Sequence, residues 1–278
     1  MDKNHYILLD HGEGRKLEQF GPYIISRPSS GAVWAKSGPD ELWKKADASF
    51  TRIEENRWIG RDRLPQSWHC CFGNLTLKIE PTDFGHLGVF PEQMDFWKWI
   101  EEFLKKSDIK KKRVLNLFAY SGGSTLAAAR AGAEVVHLDA SKGMVSWARE
   151  NALINHLEGA PIRWIIDDVM KFLAREKRRQ SRYEAIILDP PTFGRGTKGE
   201  VFKIEEVICE LLQSCRDLLS DTPLFILFTC HTPGFSPQVL FNLLHDATRG
   251  LEGTLECGEA LIHHTIPFPS GAWARWHI

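Results

Sequence analysis

The feature that most constrains the fold is a regular alternation of apolar runs and amphipathic segments from residue 113 onward. Each apolar run is rich in strand-forming residues, and a segment with helical periodicity follows it. Such alternation is typical of βαβ units, in which helices cover both faces of a parallel sheet. Strands are predicted at 113–118, 134–139, 162–166, 185–189 and 224–229, and helices at 123–131, 142–156, 169–178, 203–219 and 235–248.

The two ends of the chain follow different patterns. Residues 254–266 are predicted to form a long strand, 267–271 a turn and 272–278 a closing strand, so an antiparallel pair would extend the parallel sheet. The first eighty residues contain only short apolar runs broken by glycine, proline and asparagine. We therefore expect a small β-rich N-terminal domain over residues 1–80 and an α/β domain over residues 81–278.

Composition argues against several classes of protein. The net charge of −1 provides no general attraction for nucleic acid, so any such binding must use local patches. The chain has no apolar run of about 18 residues, and its start lacks the pattern of a signal peptide, so no membrane span and a cytoplasmic location are expected. The six cysteines lack metal-ligand spacing, so reduced thiols and no metal are expected.

The fourth strand of the alternating region ends in an unusual motif. The apolar residues 186–188 are followed by Asp189, Pro190, Pro191, Thr192 and Phe193. The prolines cannot donate backbone hydrogen bonds and they fix their own φ, so the strand must stop there. An acid, fixed carbonyls and a ring would then lie at the carboxyl edge of the sheet, where open α/β sheets bind ligands. A planar group with an amine, such as a nucleobase, would fit there, although a rigid proline turn also explains the motif.

The first three strands of the alternating region also end in residues suited to a nucleotide-like ligand. A glycine-containing turn at residues 116–124 opens a helix, whose N-terminus favours negative charge, but it is not the GxGxxG dinucleotide fingerprint. Asp139 ends the second strand and could accept hydrogen bonds from ribose hydroxyls, or could cap the next helix. After the third strand, Asp167 is the better ligand for an adenine amine and Asp168 the better helix cap.

These residues resemble the motifs of class I S-adenosylmethionine-dependent methyltransferases. The chain is similar to the group that includes the bacterial 23S rRNA cytosine-5 and guanine-N7 methyltransferases. The resemblance covers about residues 80–278 and rests on residues 116–123, 138–140, 167–169 and 189–193, with residues 85–93 upstream. It implies a Rossmann-like seven-stranded sheet whose last strand is antiparallel. The first eighty residues do not resemble an RNA-binding domain of the PUA type.

The resemblance also implies the cofactor and its site. S-adenosyl-L-methionine would have its methionine end along Tyr120, Ser121 and Gly122, its ribose on Asp139 and its adenine amine on Asp167. The reaction edge would be Asp189, with Phe90 and Gln93 closing over the cofactor. The complete expected cofactor set is Phe90, Gln93, Phe118, Ala119, Tyr120, Ser121, Gly122, Asp139, Ala140, Ser141, Asp167, Asp168, Val169 and Asp189.

The atom that receives the methyl group is left open between two chemistries. The edge formed by Asp189, Pro190, Pro191 and Phe193 suits a nitrogen acceptor, and this interpretation is favoured. Methylation at cytosine C5 needs a cysteine that adds at C6. Cys230, at the end of the fifth predicted strand, matches the position of the cysteine in the cytosine-5 enzymes of the family, and His231 beside it could lower its pKa. A buried structural cysteine is the alternative.

The expected substrate is RNA, most simply ribosomal RNA, bound by a monomer or a homodimer. Arg195 and Lys198 follow the proline motif and are candidates for gripping phosphates. The basic residues at 105–113 and 175–182 precede predicted strands and are interpreted as solvated surface. The alternatives are a methyltransferase for a protein or a small molecule, and a non-catalytic protein that binds RNA or the cofactor.

Overall fold

The structure is a computed structural model that describes residues 4–52, 55–195 and 201–278. It divides the chain into two compact units. The first comprises Met1–Met94 with Leu261–Ser270, and the second comprises Asp95–Ala260 with Gly271–Ile278. The domain boundary expected at residues 80 and 81 stays a prediction.

The first unit is rich in β-strands, as the broken apolar runs near the start of the chain predict. One five-stranded sheet has the order β1-β2-β3-β4-β5, and β6 pairs with β7 in a separate hairpin. All neighbours in the larger sheet are antiparallel except β3 and β4. The elements are β1 (Tyr6–Gly12), β2 (Arg15–Phe20), β3 (Tyr23–Pro28), the short helix α1 (Asp40–Trp43), β4 (Ala48–Thr51), β5 (Arg57–Ile59), β6 (Trp68–Phe72) and β7 (Leu75–Ile79).

The second unit contains the predicted alternation of strands and helices, and the last two strands, with the turn between them, contribute residues 261–270 to the first unit. A small additional hairpin, β12 with β13, follows the proline motif. The elements are α2 (Met94–Lys106), β8 (Arg113–Leu117), α3 (Gly123–Arg130), β9 (Glu134–Asp139), α4 (Lys142–Ile154), β10 (Ile162–Ile166), α5 (Val169–Arg178), β11 (Ala185–Leu188), β12 (Phe193–Arg195), β13 (Val201–Lys203), α6 (Ile204–Asp217), β14 (Phe225–Cys230), α7 (Pro237–Ala247), β15 (Thr254–Ile262) and β16 (Phe268–His277).

The main sheet confirms the predicted fold class. Its seven strands have the order β10-β9-β8-β11-β14-β16-β15. Strands β8, β9, β10, β11 and β14 pair in parallel, whereas β16 runs antiparallel to β14. Strands β9 and β10 follow β8 in the chain and lie on one side of it in the sheet. The chain then crosses back, and β11 lies on the opposite side of β8. This reversal opens a crevice between β8 and β11 at the carboxyl ends of the strands.

Helices bury the apolar strands of the main sheet. Helices α5, α6 and α7 share one hydrophobic core with β8, β9, β11, β14 and β16. The rings of Trp99 and Phe103 in α2 pack on Phe225 in β14, with centroid separations of 4.9 and 5.6 Å. Among the residues that the structure describes, no helix is both long and apolar enough to cross a membrane.

The position of the last turn differs from the prediction. The turn was expected at residues 267–271, but β15 ends at Ile262 and β16 already begins at Phe268. Phe268 is buried in a small apolar cluster with Leu8, Ala32 and Ile262. Burial of this ring keeps residues 268–271 in the strand, although their proline and glycine favour a turn. The turn therefore lies in residues 263–267.

Candidate active site

The turn between β8 and α3 has a backbone that few sequences can adopt. Phe118 and Tyr120 have φ values of 54° and 49°, a left-handed conformation that is uncommon outside glycine. Gly122, with φ 93°, is the N-cap of α3. A Cβ atom on Gly122 would lie 3.0 Å from the Cβ of Ala148 in α4. The turn therefore needs glycine here, and its backbone approaches α4 closely.

Asp139 at the end of β9 holds this turn in place. Its Oδ2 accepts a hydrogen bond from the Tyr120 N–H at 2.9 Å, and its Oδ1 accepts one from the Ser141 N–H at 2.8 Å. Burial raises the pKa of Asp139, although these two bonds lower it in part. Ser141 itself caps α4 through the Met144 N–H, so Asp139 is not the cap. Each carboxylate oxygen keeps a lone pair for a ligand hydroxyl.

A network of buried polar side chains also stabilises the turn between β8 and α3. Asn116 Nδ2 donates to Thr125 Oγ1 at 2.9 Å, and that hydroxyl lies 2.9 Å from His137 Nδ1. Asn151 Nδ2 donates to the Ser121 carbonyl at 2.9 Å. Burial, with a smaller contribution from the charge of Arg149, lowers the pKa of His137 to about 3. The imidazole is therefore neutral at physiological pH.

Sequence reasoning did not identify this network. Its signal is present in the chain, because Asn116 and His137 are polar residues inside otherwise apolar strands. A buried polar side chain in such a strand requires a partner.

Asp167 and Asp168 have separate structural roles at the end of β10. Asp168 caps α5 by accepting from the Lys171 N–H at 3.0 Å. Asp167 Oδ1 accepts from the Asp168 N–H at 2.8 Å, and its Oδ2 forms an ion pair with Arg175. The prediction that Asp168 caps the following helix is thus confirmed. The ion pair between Asp167 and Arg175 is not predicted by the sequence. The role of Asp167 toward adenine stays a prediction.

The proline motif at the end of β11 lies beside the end of β14. Asp189 Oδ1 is 3.4 Å from His231 Nδ1, and Thr192 Oγ1 is 2.9 Å from Thr232 Oγ1. Pro190 is buried, whereas Pro191 is exposed. The two strand ends therefore form one connected edge, which carries a half-buried carboxylate, with its Oδ1 buried, and an exposed imidazole.

The hairpin after the prolines connects this edge to the first turn. Phe193 in β12 pairs with Lys203 in β13, and its side chain is 52% exposed. Phe202 of the same hairpin packs on Phe118 with a ring separation of 5.1 Å. The backbone of Arg195 ends β12, whereas its side chain and residue 198 lie outside the part of the chain that is described. An exposed aromatic face is thus available near the carboxyl edge of the sheet.

Cys230 is a buried thiol with a raised pKa. Its side chain is among the core residues, and Sγ accepts from the Thr232 N–H at 3.4 Å. Burial is the largest cause of the raised pKa, and the charge of Asp189 adds to it, whereas Thr232 and His231 lower it in part. The expectation that His231 lowers the pKa of this thiol is therefore only partly met. A resting thiolate is disfavoured.

The remaining expected residues lie in both units. Ala119 and Val169 are buried, and Ala140 is half-buried. In the first unit, Phe90 is half-buried, and Gln93 is buried in a 3-10 turn where its N–H donates to the Phe90 carbonyl at 3.1 Å. Their contact with a cofactor stays a prediction. Within the described residues, no three His, Cys, Asp or Glu side chains are grouped to hold a metal ion.

A family model decides the class of this site. The model for S-adenosylmethionine-dependent methyltransferases matches residues 55–249, which include the first turn, the three carboxylates and the proline motif. The chain belongs to this methyltransferase family. Its methyl donor is accordingly S-adenosyl-L-methionine.

Solved structures of other methyltransferases share this fold. The methyltransferase resembles the SAM-dependent methyltransferase from Agrobacterium tumefaciens, with 39% sequence identity, a TM-score of 0.93 and coverage of 98% of this chain and 90% of that chain. It also shares its fold with SMU.776, a putative methyltransferase complexed with SAH. That similarity has 17% identity, a TM-score of 0.76 and coverage of 99% and 76% of the two chains.

Two curated relatives are ribosomal RNA methyltransferases. The large subunit methyltransferase K/L of Syntrophotalea carbinolica is 34% identical over 161 residues, which are 57% of this methyltransferase and 22% of the relative. The large subunit methyltransferase I of Escherichia coli is 26% identical over 172 residues, or 60% and 43% of the two chains. The methyltransferase thus spans less than half the length of these relatives.

The residues of the site fit the cofactor of the family. Asp139 is a half-buried acceptor at the carboxyl edge of the sheet, and the turn that it holds contains the N-terminus of α3. Helix N-termini favour anions such as a carboxylate, and carboxylates accept hydrogen bonds from ribose hydroxyls. When bound, S-adenosyl-L-methionine supplies an electrophilic methyl group.

Proposed function

We propose that this methyltransferase methylates a nucleobase in RNA, most specifically in the RNA of the large ribosomal subunit. One observation carries the proposal: the exposed ring of Phe193 follows Asp189 and the two prolines at the end of β11. A base can stack on such a ring while its polar edge reaches a carboxylate. The two curated relatives that act on large subunit rRNA support the choice of substrate.

The proposed roles place an acceptor nitrogen at the end of β11. The carboxylate of Asp189 and the carbonyl of Pro190 would accept hydrogen bonds from the amine, and Phe193 would hold the plane of the base. Pro191 fixes the backbone of this edge, because its ring restricts φ. Such positioning is the main contribution of a protein to a displacement reaction between two bound partners.

The pair of Asp189 and His231 offers a path for the released proton. A nitrogen that gains a methyl group must lose a proton to become neutral again. The Asp189 carboxylate would accept that proton, and its buried Oδ1 lies 3.4 Å from His231 Nδ1, which would take the proton onward. His231 is exposed, so the proton can then reach water. Residues of this kind act as general bases when they are within hydrogen-bond reach of the substrate.

The environment of Cys230 supports nitrogen as the acceptor. Attack on cytosine C6 requires a thiolate that can reach the ring. Cys230 is 1% exposed, and burial raises the pKa of its thiol. Gly271 lies close to this strand end, since a Cβ on it would be 3.0 Å from the Cys230 carbonyl oxygen. The thiol therefore contributes packing in this proposal.

We expect Cys230→Ala to retain methyl transfer within about twofold of the wild-type rate, because a packing residue contributes mainly to stability. Loss of the buried sulfur should lower the free energy of unfolding by about 1 kcal/mol. Steady-state transfer of tritiated methyl groups and urea unfolding measure the two effects. RNA that contains 5-fluorocytosine should form no covalent adduct with the wild-type protein. A folded Cys230→Ala protein without activity would instead establish the C5 chemistry.

The substrate itself is tested by comparing RNA from wild-type and deletion strains. We expect one methylated nucleoside of large subunit rRNA to be missing from the deletion strain when digests are analysed by mass spectrometry. Deproteinised rRNA from that strain should accept methyl groups from the purified protein, whereas rRNA from the wild type should accept few because its site is already modified. Identical nucleosides in both strains and no transfer to either RNA would refute an rRNA substrate.

Methyl transfer to a protein or a small molecule is the second candidate, and it is supported by the net charge of −1, which provides no general attraction for RNA. Transfer of label to protein or to the metabolite fraction of a deletion-strain extract would reveal it. A non-catalytic binder is disfavoured, because binding alone does not require the carboxylate edge at Asp189. A ribosomal substrate would place the protein in the cytoplasm. We propose separately that the protein acts as a monomer or a homodimer.

A further inference from the structure

The first unit contains an open cleft of about 470 Å³ between its sheet and the segment around α1. Among the described residues, the cleft is lined by three cationic side chains, Arg15, Lys36 and Arg63, and by one carboxylate, Asp47. Trp43 and Ile59 add aromatic and apolar surface. All of these residues belong to the first unit, and none of them is among the residues of the candidate active site.

Arg15 is a partly buried cation held by neutral acceptors. Its Nε donates to Ser26 Oγ at 2.9 Å, and its Nη2 donates to the carbonyls of Ser26 and Phe50 at 3.1 and 2.9 Å. Burial lowers the pKa of this guanidinium. Within the described residues no carboxylate pairs with it. A buried charge is normally paired, so the cleft fits an anion from outside the chain.

The segment that carries Lys36 is held in place by the buried Asp10. The Asp10 carboxylate accepts from the N–H groups of Ser37 and Gly38 at 3.2 and 3.0 Å, and from Trp43 Nε1 at 2.7 Å. Burial by itself raises the pKa of Asp10, but these bonds bring it below the usual value. Lys36 Nζ lies 4.8 Å from the centre of the Trp43 ring. The cation and the ring are therefore preorganised.

The other charges that line the cleft also favour an anion. Arg63 is exposed and makes no ion pair with any residue that the structure describes. Asp47 has one carboxylate oxygen occupied by the Ile24 N–H at 2.7 Å. Lys36 is paired at 2.9 Å with Glu13, whose side chain is 59% exposed and can be displaced by a ligand. Ile59 is 54% exposed beside these cations.

We propose that this cleft binds a phosphodiester of the substrate RNA through Arg15, Lys36 and Arg63, with an adjoining unpaired nucleotide against Trp43 and Ile59. Cations that follow the backbone, together with exposed apolar or aromatic surface, are typical of sites for single-stranded nucleic acid. Contacts to phosphate position RNA without selecting its sequence. The proposal rests on RNA as the substrate, and it assigns the first unit a role in holding that RNA.

The test uses the whole chain and a fluorescein-labelled single-stranded RNA of mixed sequence, with binding followed by anisotropy. The variant with Arg63→Gln and Lys36→Gln should bind about tenfold more weakly or worse, the scale of two lost charge-assisted contacts. The slope of log affinity against log salt should decrease by about 1.4, because each lost phosphate contact on a single strand contributes about 0.7. Affinity for S-adenosyl-L-methionine should stay unchanged.

Arg182→Gln is the matched control, because Arg182 is an exposed arginine of the second unit outside the cleft. It should leave RNA binding within about twofold of the wild type, because Arg182 does not line the cleft. Equal affinities and salt slopes for the cleft variant and this control would overturn the proposal. Tight binding of inorganic phosphate with no binding of RNA would also overturn it, because the cleft would then serve free phosphate.

Methyl transfer separates this proposal from the proposed function. If the wild type methylates rRNA and the cleft variant binds RNA normally, only the role of the cleft is wrong. If the wild type neither binds nor methylates RNA, both proposals are wrong. We expect the cleft variant to have a higher KM for rRNA with nearly unchanged kcat, because Arg63 and Lys36 are assigned to binding of the RNA and not to the reaction edge.

Discussion

Asp189→Ala is expected to reduce methyl transfer by at least about 100-fold, the range for loss of a group that positions or deprotonates the substrate. Its carboxylate is the charged group at the end of β11, and it lies 3.4 Å from His231 Nδ1. The variant removes the carboxylate that would accept a hydrogen bond from the substrate amine and would then accept its proton. Transfer of tritiated methyl groups to deproteinised rRNA measures the rate.

The same variant should keep most of its affinity for S-adenosyl-L-methionine in titration calorimetry, since the ribose is assigned to Asp139. Asp246→Ala provides a matched control, because this carboxylate is 72% exposed on the surface and pairs only with Arg249 at 2.6 Å among the described residues. It should behave as the wild type in both assays. Normal turnover by Asp189→Ala would remove Asp189 from the reaction edge.

Asp139→Ala is expected to weaken binding of S-adenosyl-L-methionine by about 1–3 kcal/mol, the scale for lost hydrogen bonds to a charged group. The variant loses the proposed acceptor for the ribose hydroxyls. It also loses the bonds to the N–H groups of Tyr120 and Ser141, at 2.9 and 2.8 Å, that shape the first turn. Titration calorimetry with the cofactor and with its demethylated product measures the change.

The pH dependence gives an independent check on Asp139. Burial raises the pKa of Asp139, and hydrogen bonds from ribose hydroxyls favour its ionised form. Affinity for the cofactor should therefore fall as the pH decreases through this raised pKa, and the fall should be absent in Asp139→Ala. NAD should not bind to either protein. Unchanged affinity in the variant would leave the ribose without its proposed partner.

The architecture of the second unit could be predicted from the sequence because its signals are local. Strands β9 and β10 and helix α5 begin and end at the predicted residues. Period and composition decide such elements over a few residues. The order of the strand ends along the chain, with Asp139, Asp167 and Asp189, also predicted a site at one edge, because parallel strands place their carboxyl ends together.

The local sequence pattern gave a wrong position for the last turn, because contacts with residues far away in the chain decide the structure of that segment. Proline and glycine at residues 267–271 favoured a turn, yet burial of Phe268 with Leu8, Ala32 and Ile262 keeps this segment in a strand. The free energy of burying an aromatic ring outweighs the turn preference of its neighbours. Leu8 and Phe268 are far apart in the chain, so no local pattern could reveal their contact.

By itself the sequence determined the fold class, the family and the set of strand-end residues that form the candidate site. Only the tertiary structure decided which of these residues meet: His231 faces Asp189, Arg175 pairs with Asp167, and Cys230 is buried in the core. It also brought Arg15, Lys36 and Arg63 together in one cleft. The physical reason is that periodicity and turn chemistry act over a few residues, whereas side-chain pairing, burial and the resulting pKa depend on how the elements pack.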